Sequence, residues 1–176
     1  MKTDRQLVDE INRRDPDAFE TLYHRYRDWV LALARRFTGS AEQAQDVLQE
    51  TFLYLLKKFP GFQLRCSMKT FLYPAVRHIS ITIARQSRKT LSDEAAINEL
   101  PAPDCQRSDP QAELAIVLGQ LTGEQRQVVL MRFVDDMSLA EIAQALDIPL
   151  NTVKSKLYRT LDILRNDPAT KKYFLG

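Results

Sequence analysis

Cysteine and histidine are scarce: Cys66 and Cys105 are the only thiols, and His24 and His78 the only imidazoles, among 176 residues. Neither pair has a metal-ligand spacing and two distant thiols make no disulfide framework, so no metal is expected and both cysteines read as incidental thiols. Five glycines, none clustered, leave no phosphate-cradling loop. There is also no HExxH pair and no nucleophile motif, which argues against an enzyme and against a bound cofactor. No run of about eighteen apolar residues exists, so no membrane insertion is expected. The opening MKTDRQLVDEINRR lacks the apolar centre of a signal peptide, and the expectation is a soluble, cytoplasmic protein.

A further absence is local. From Thr51 to Ser92 there is no Asp or Glu, yet eight bases occur: Lys57, Lys58, Arg65, Lys69, Arg77, Arg85, Arg88 and Lys89. The whole chain nearly balances at 25 bases and 23 acids. Residues 1–90 carry +6, residues 91–110 carry −4, and residues 111–176 are neutral. A solvated helix face normally mixes signs, whereas an acid-free tract suits a polyanion, each neutralised phosphate releasing counterions.

What remains is patterned for helices. Leu7, Val8 and Ile11 mark a short one. Pro16 opens a long one with Phe19, Leu22, Tyr23, Tyr26, Val30, Leu33 and Phe37 inward, and Gly39 ends it. Ser40 with Gln43 predicts a capping box for a third helix burying Ala44, Val47, Leu48, Phe52, Leu55 and Leu56, with Asp46, Gln49 and Glu50 opposite. The stretch from Phe59 to Ser67 reads as a loop. A fourth helix is predicted from Met68 to Arg88, with Pro74 near its first turn and Phe71, Leu72, Ala75, Val76, Ile79 and Ile83 apolar.

Residues 89–110 are polar, acidic and broken by Pro101, Pro103 and Pro110, which predicts a flexible linker. A helix over Gln111 to Leu121 follows. Thr122 and Gln125 then box the start of another, with Val128, Val129, Leu130, Met131 and Phe133, ending near Asp135-Asp136. Ser138 and Glu141 begin a helix with the stripe Leu139, Ile142, Ala143 and Leu146, Ala143 being small enough for a crossing helix. Asp147 stands where a left-handed turn is needed, and Pro149 suits the first position of the next helix. There Val153, Leu157, Leu161 and Leu164 face inward, leaving Asn151, Thr152, Lys154, Ser155, Lys156 and Arg159 outside. A helix, a tight turn and a second helix with a basic outer face is the pattern of a helix-turn-helix, whose exposed early residues reach base edges in the major groove. The fold expected is all-α: two small helical domains, residues 1–88 and 111–165, joined by the linker, the second containing the helix-turn-helix. A tail over residues 166–176 follows, its Tyr173, Phe174 and Leu175 expected to pack.

The succession AFETLYHRYRDWVLALARR, DVLQETFLYLLKK, SMKTFLYPAVRHISITIARQSRK and LTGEQRQVVLMRFVDDMSLAEIAQALDIPLNTVKSKLYRTLDILR resembles the extracytoplasmic-function (ECF) group of bacterial RNA polymerase sigma factors over residues 17 to 165. The resemblance implies an alternative sigma factor that binds core RNA polymerase and directs it to promoter DNA. Asp46, Gln49 and Glu50 would hold the polymerase clamp by charge-assisted hydrogen bonds. The loop and basic helix would recognise and melt the minus-ten element through Phe59, Phe62, Arg65, Lys69, Arg77, Arg85 and Arg88, with Tyr73 a further stacking surface and Lys89 a further base. Core packing competes equally with stacking for Phe59 and Phe62, and is preferred for Phe71. For the minus-thirty-five element the resemblance implies base-edge or groove contacts from Asn151, Lys154, Ser155 and Lys156, and phosphate contacts from Thr152 and Arg159. Phe71, Pro74, His78 and Thr82 depart from the residues usual in the family, as do Pro149 and Asn151. The family is commonly restrained by an anti-sigma protein, which the resemblance makes a candidate partner. The competing function is a stand-alone helix-turn-helix regulator that binds an operator without polymerase.

Overall fold

The computed structural model describes residues 2–90 and 117–167, with side chains to residue 87 in the first stretch. The chain divides into two compact units, residues 1–97 and 98–176. Every regular element among the described residues is a helix, in keeping with the expected all-α class. Residues 91–110 of the expected linker, Cys105 among them, the start of the helix expected from Gln111, and residues 168–176 of the tail lie outside the described residues, whereas Lys89 and Thr90, expected in the linker, are helical.

In the first unit, Thr3 begins α1 (Asp4–Asn12). Its Oγ1 accepts from the Gln6 N–H at 3.3 Å, and Gln6 Oε1 accepts from the Thr3 N–H at 2.8 Å, satisfying two cap donors reciprocally. Leu7, Val8 and Ile11 are buried, as their spacing predicts. Asp15 caps α2 (Pro16–Thr38), accepting from the Asp17 N–H at 3.0 Å, and Pro16 supplies a pre-set φ at the first position. The helix stops at Gly39, whose φ of 68° is left-handed and lets its N–H reach the Arg35 carbonyl.

Only half of the capping box expected at α3 (Ala41–Leu56) forms. Ser40 Oγ accepts from the Gln43 N–H, but the Ser40 N–H is already given to Thr38 Oγ1 at 3.3 Å, so the Gln43 side chain has nothing to reach back to. Ala44, Val47, Thr51, Phe52 and Leu55 are buried against α2 and α4. Leu56, expected inside, is 46% exposed; with Leu53 it lines the mouth of a groove against α2.

Ser67 starts α4 (Met68–Thr90), its Oγ accepting from the Thr70 N–H and its carbonyl from the Phe71 N–H. Pro74 lies in the second turn rather than the first, so it removes one helical hydrogen bond, the one Thr70 would accept. Met68, Leu72, Tyr73 and Val76 complete the core.

The described part of the second unit opens on helical residues 117–119, closed by Arg126. Its Nε donates to the Leu118 carbonyl at 2.7 Å and its Nη2 to those of Gly119 and Leu121, placing a cation where the last carbonyls of a helix concentrate negative charge. Both halves of the Thr122–Gln125 box form at α5 (Gly123–Phe133). This helix ends before Asp135, leaving Phe133 and Val134 exposed at its end. The Ser138–Glu141 box opens α6 (Leu139–Leu146), where Ile142 and Ala145 are the buried pair and Ala143 is only half-buried. Asp147 adopts φ 54° and ψ 47°, the left-handed turn its position required. Pro149 stands at the N-cap position of α7 (Leu150–Asn166), one residue outside the helix and without a side-chain cap. Val153, Leu157 and Thr160 are buried, while Leu161 and Leu164 are half-buried.

The two kinds of glycine give a stability test. Gly39→Ala places a Cβ on a left-handed residue and is expected to cost about 1 kcal/mol in urea unfolding. Gly123→Ala, at a helical position with nothing within 4 Å of the new Cβ, should be neutral or stabilising by up to about 1 kcal/mol.

Candidate functional site

The acidic ridge is built by α3. Asp46, Gln49 and Glu50 are all exposed, because the opposite side of the same helix is spent on Ala44, Val47 and Thr51. No ion pair to Asp46 or Glu50 occurs among the described residues. Asp46 and Gln49 border a groove of about 700 Å³ between α2 and α3, with Phe19, Tyr23, Phe52 and Leu53 in its lining. Tyr23 and Phe52 meet edge to face at 4.7 Å and Phe19 meets Phe52 at 6.4 Å, so the groove has a fixed aromatic wall. A charged rim beside an apolar wall suits a protein partner with both basic and apolar side chains.

The basic segment carries an aromatic strip. Phe59 and Phe62 meet edge to face at 5.4 Å, Phe62 leans on Phe71 at 4.8 Å, Phe71 stacks on Tyr54 at 6.1 Å and 19°, and Lys58 Nζ sits 4.6 Å above the Tyr54 ring. Phe59, Phe62 and Phe71 are half-buried and Tyr54 is exposed. Packing and an open face therefore coexist in Phe59 and Phe62, and Phe71 is in the strip rather than in the core. Tyr73 is the correction: it is 2% exposed, facing Phe37 at 6.1 Å, and offers no surface for a base. Arg65, Arg77 and Arg85 are exposed. Lys69 is half-buried with its ammonium 5.9 Å from the Trp29 ring, while the Arg88 and Lys89 side chains lie outside the described set. Pro74, Arg77, His78, Thr82 and Arg85 fall on one exposed stripe of α4, which carries three of the helix's four departures from the family's usual residues, the fourth being Phe71 in the aromatic strip.

On α7, Asn151, Lys154, Ser155 and Arg159 are exposed and Thr152 is half-buried. Ser155 Oγ donates to the Thr152 carbonyl at 3.0 Å. Pro149 has no side-chain acceptor, so the first N–H groups of α7 are uncapped. Lys156 stands apart from this set. It lies at the edge of the buried face and pairs with Glu124 of α5, whose carboxyl is held below its ordinary range first by that hydrogen bond and then by the ammonium charge. Tyr158, 60% exposed and four residues after Lys154, belongs to the open face. Sequence reading passed over it as an aromatic; its i,i+4 relation to Lys154 was the available signal.

Residues 22–90 match the family model for Sigma-70 region 2, and residues 112–164 match that for Sigma-70, region 4. The chain is 24% identical to the ECF RNA polymerase sigma factor SigW of Bacillus subtilis (92% of this chain, 94% of SigW). It is 27% identical to the RNA polymerase sigma-H factor of Pseudomonas aeruginosa (93% of each), and 28% identical to the ECF sigma factor SigX of B. subtilis (85% and 82%). Among solved structures it is similar to CnrH in complex with the cytosolic domain of CnrY, with TM-score 0.66, 21% identity, and 90% and 92% of the two chains covered. It is also similar to RpoE in complex with the anti-sigma factor NepR from Bartonella quintana, with TM-score 0.60, 18% identity, and 84% and 94% covered. At these identities the solved structures speak for the fold.

The Lys156–Glu124 pair has a definite pH signature. Because the folded carboxyl titrates below its unfolded value, the pair is present at neutral pH and is lost as pH falls through the depressed Glu124 pKa. An NMR titration of the Glu124 carboxyl carbon should show that low midpoint, and Lys156→Met should return it to the ordinary carboxylate range. An unchanged midpoint in the variant would remove Lys156 as the cause.

Proposed function

This chain belongs to the sigma-70 family, within its extracytoplasmic-function group, and we propose how its surfaces divide the work of a sigma factor. It is an alternative sigma factor that directs core RNA polymerase to promoters, and not a stand-alone regulator. The observation that carries this is the presence of both region 2 and region 4, in order, in one chain. An operator-binding protein needs only the second.

The ridge of Asp46, Gln49 and Glu50 receives the polymerase clamp, with arginines of the partner on the carboxylates and apolar side chains against the Tyr23–Phe52 wall. The strip of Phe59, Phe62 and Phe71 takes unpaired bases of the minus-ten element, a stacking interaction of about 1–3 kcal/mol per base. Arg65, Arg77 and Arg85 follow the phosphates beside it, joined by Lys69 and Arg88. In the second unit, α7 lies in the major groove of the minus-thirty-five element. Asn151, Lys154 and Ser155 lead, Thr152 and Arg159 lie toward phosphate, and the uncapped N-terminus of α7 suits a backbone phosphate. Lys156 supports α7 through Glu124 and adds positive charge rather than a base contact.

Melting by base capture requires no catalytic side chain, so the chain has no enzymatic role of its own. Among the described residues no helix is long and apolar enough to cross a membrane, and work with polymerase places the protein in the cytoplasm. An anti-sigma protein is a second partner, since RpoE was solved with the anti-sigma factor NepR and CnrH with the cytosolic domain of CnrY. Such a protein would cover the same ridge and groove.

The decisive experiment is reconstitution with bacterial core polymerase followed by run-off transcription. The wild-type chain should bind core and start transcripts at a defined promoter. Asp46→Ala with Glu50→Ala should weaken core binding by roughly tenfold or more with the helical signal unchanged, from the loss of two charge-assisted contacts. Equal affinity would remove the ridge from the interface. Lys154→Ala should spare core binding and reduce promoter use, while Lys156→Ala should have the smaller effect on transcription; the reverse order would reassign the base-reading lysine.

A further inference from the structure

Helix α1 precedes both family-matched regions, which begin at residue 22, and nothing in the functional reading so far uses it. Its last residue, however, holds the loop between α3 and α4. Asn12 Oδ1 accepts from the Gly61 N–H at 2.7 Å and from the Phe62 N–H at 3.1 Å, and Asn12 Nδ2 donates to the Phe62 carbonyl at 2.8 Å. One amide side chain thus satisfies both backbone groups of Phe62 and the N–H of the residue before it, 49 and 50 residues away in sequence. Few side chains can do this: the acceptor must take two converging N–H groups while a donor two bonds away reaches a carbonyl, and an amide carries both at any ordinary pH.

Both ends of the clasp are fixed. Leu7, Val8 and Ile11 seat α1 in the core at 0–7% exposure. At its other end Asp4 accepts from Arg25 at 2.5 Å and from the Tyr26 hydroxyl, and Arg25 also donates to the Lys2 carbonyl at 2.8 Å. Burial and the Asp4 bond both hold the Tyr26 phenol in its neutral, donating form. On the loop side, Gly61 has a φ of 98°, a conformation that side chains rarely adopt, so the backbone that presents its N–H to Asn12 depends on glycine. With the backbone of Phe62 pinned, its ring is held between Phe59 and Phe71.

We propose that Asn12 is a positioning residue for promoter opening, pre-ordering the loop so that Phe62 and its neighbours meet an unpaired base without first paying the entropy of ordering the loop. The inference rests on the reading of Phe59, Phe62 and Phe71 as the minus-ten strand surface. It makes α1 part of the DNA-capturing apparatus although α1 itself touches no DNA. A loop that must order upon binding loses affinity by the fraction of time it spends in the competent form.

The test uses holoenzyme reconstituted with the wild-type chain, Asn12→Ala, Asn12→Asp and Gly61→Ala. The probe is a labelled single strand that the wild-type holoenzyme enriches from a randomised single-stranded DNA pool. Asn12→Ala should leave core affinity unchanged, speed hydrogen exchange at the Gly61 and Phe62 amides, and weaken strand binding about tenfold, because the loop then spends only a fraction of its time in the competent form. Asn12→Asp keeps the acceptor for both N–H groups but faces the Phe62 carbonyl with an oxygen, so it should fall between wild type and Asn12→Ala. Gly61→Ala should weaken strand binding by itself and add little to Asn12→Ala, because both act on one loop geometry. Strand affinity that survives Asn12→Ala, or a loss of strand affinity matched by an equal loss of core affinity, overturns the proposal. A wild-type chain that fails to form a strand-binding holoenzyme sinks the sigma reading itself, whereas a wild-type holoenzyme matched by Asn12→Ala sinks only the role of Asn12.

Discussion

The burial of one stripe from each of three helices is the constraint on which every surface of the first unit depends. Leu22, Val30 and Leu33 of α2, Val47, Phe52 and Leu55 of α3, and Met68, Leu72 and Val76 of α4 are almost fully withdrawn from water. Each such side chain contributes about 1.5–3 kcal/mol relative to exposure, so rotating any helix by one residue is prohibitive. With the rotation fixed, a 3.6-residue period decides what faces outward. On α3 that is Asp46, Gln49 and Glu50; on α4 it is the stripe from Pro74 to Arg85. The acid and the base are sorted onto different helices in the sequence and kept apart in space by a core to which neither contributes.

Ion pairing follows the same division. Charges that organise the fold are paired: Arg25 with Asp4, Lys2 with Glu10, Lys156 with Glu124. Asp46, Glu50, Arg65, Arg77, Arg85 and Lys154 have no ion pair among the described residues. An exposed pair contributes little to stability, so leaving these groups unpaired costs the fold almost nothing. It also spares a partner the work of breaking an internal bridge. The aromatic strip obeys a related logic, since each of its rings packs on the next and still keeps one side open.

Most of the architecture was legible in the sequence because helix starts, stops and stripes are local signals. Gly39, the Thr122–Gln125 and Ser138–Glu141 boxes, Asp147 and the buried set of α1 all follow from residues within one or two turns of each other. The misreadings share a different character. The Ser40 box was half taken by Thr38, two residues before the pattern; Leu56 has the right phase but no helix to cover it; Tyr73 is amphipathic and its phase placed it inside. Lys156 and Glu124 lie 32 residues apart, and no local pattern pairs them. Of the candidate residues, the ridge and the outer face of α7 were therefore readable from periodicity, whereas the loop and the Lys156 pair depend on contacts that only the folded chain brings together.

The Asn12 clasp is the extreme case of that limit, and it shows why a loop between two matched helices should not be read by itself. Phe59 to Ser67 joins α3 to α4, and its local signals are only Pro60, Gly61 and a serine cap. Those residues permit many loop conformations. What selects one is a side chain from a helix that comes before α2, and the hydrophobic seat of α1 is what makes that selection rigid. A helix of nine residues is too short to persist by itself in water. Its stability is drawn from the core through Leu7, Val8 and Ile11 and returned to the loop through one amide. The burial that fixes the rotation of α2, α3 and α4 thus also fixes, through α1, the backbone of the least regular segment of the unit, the segment that carries Phe59 and Phe62.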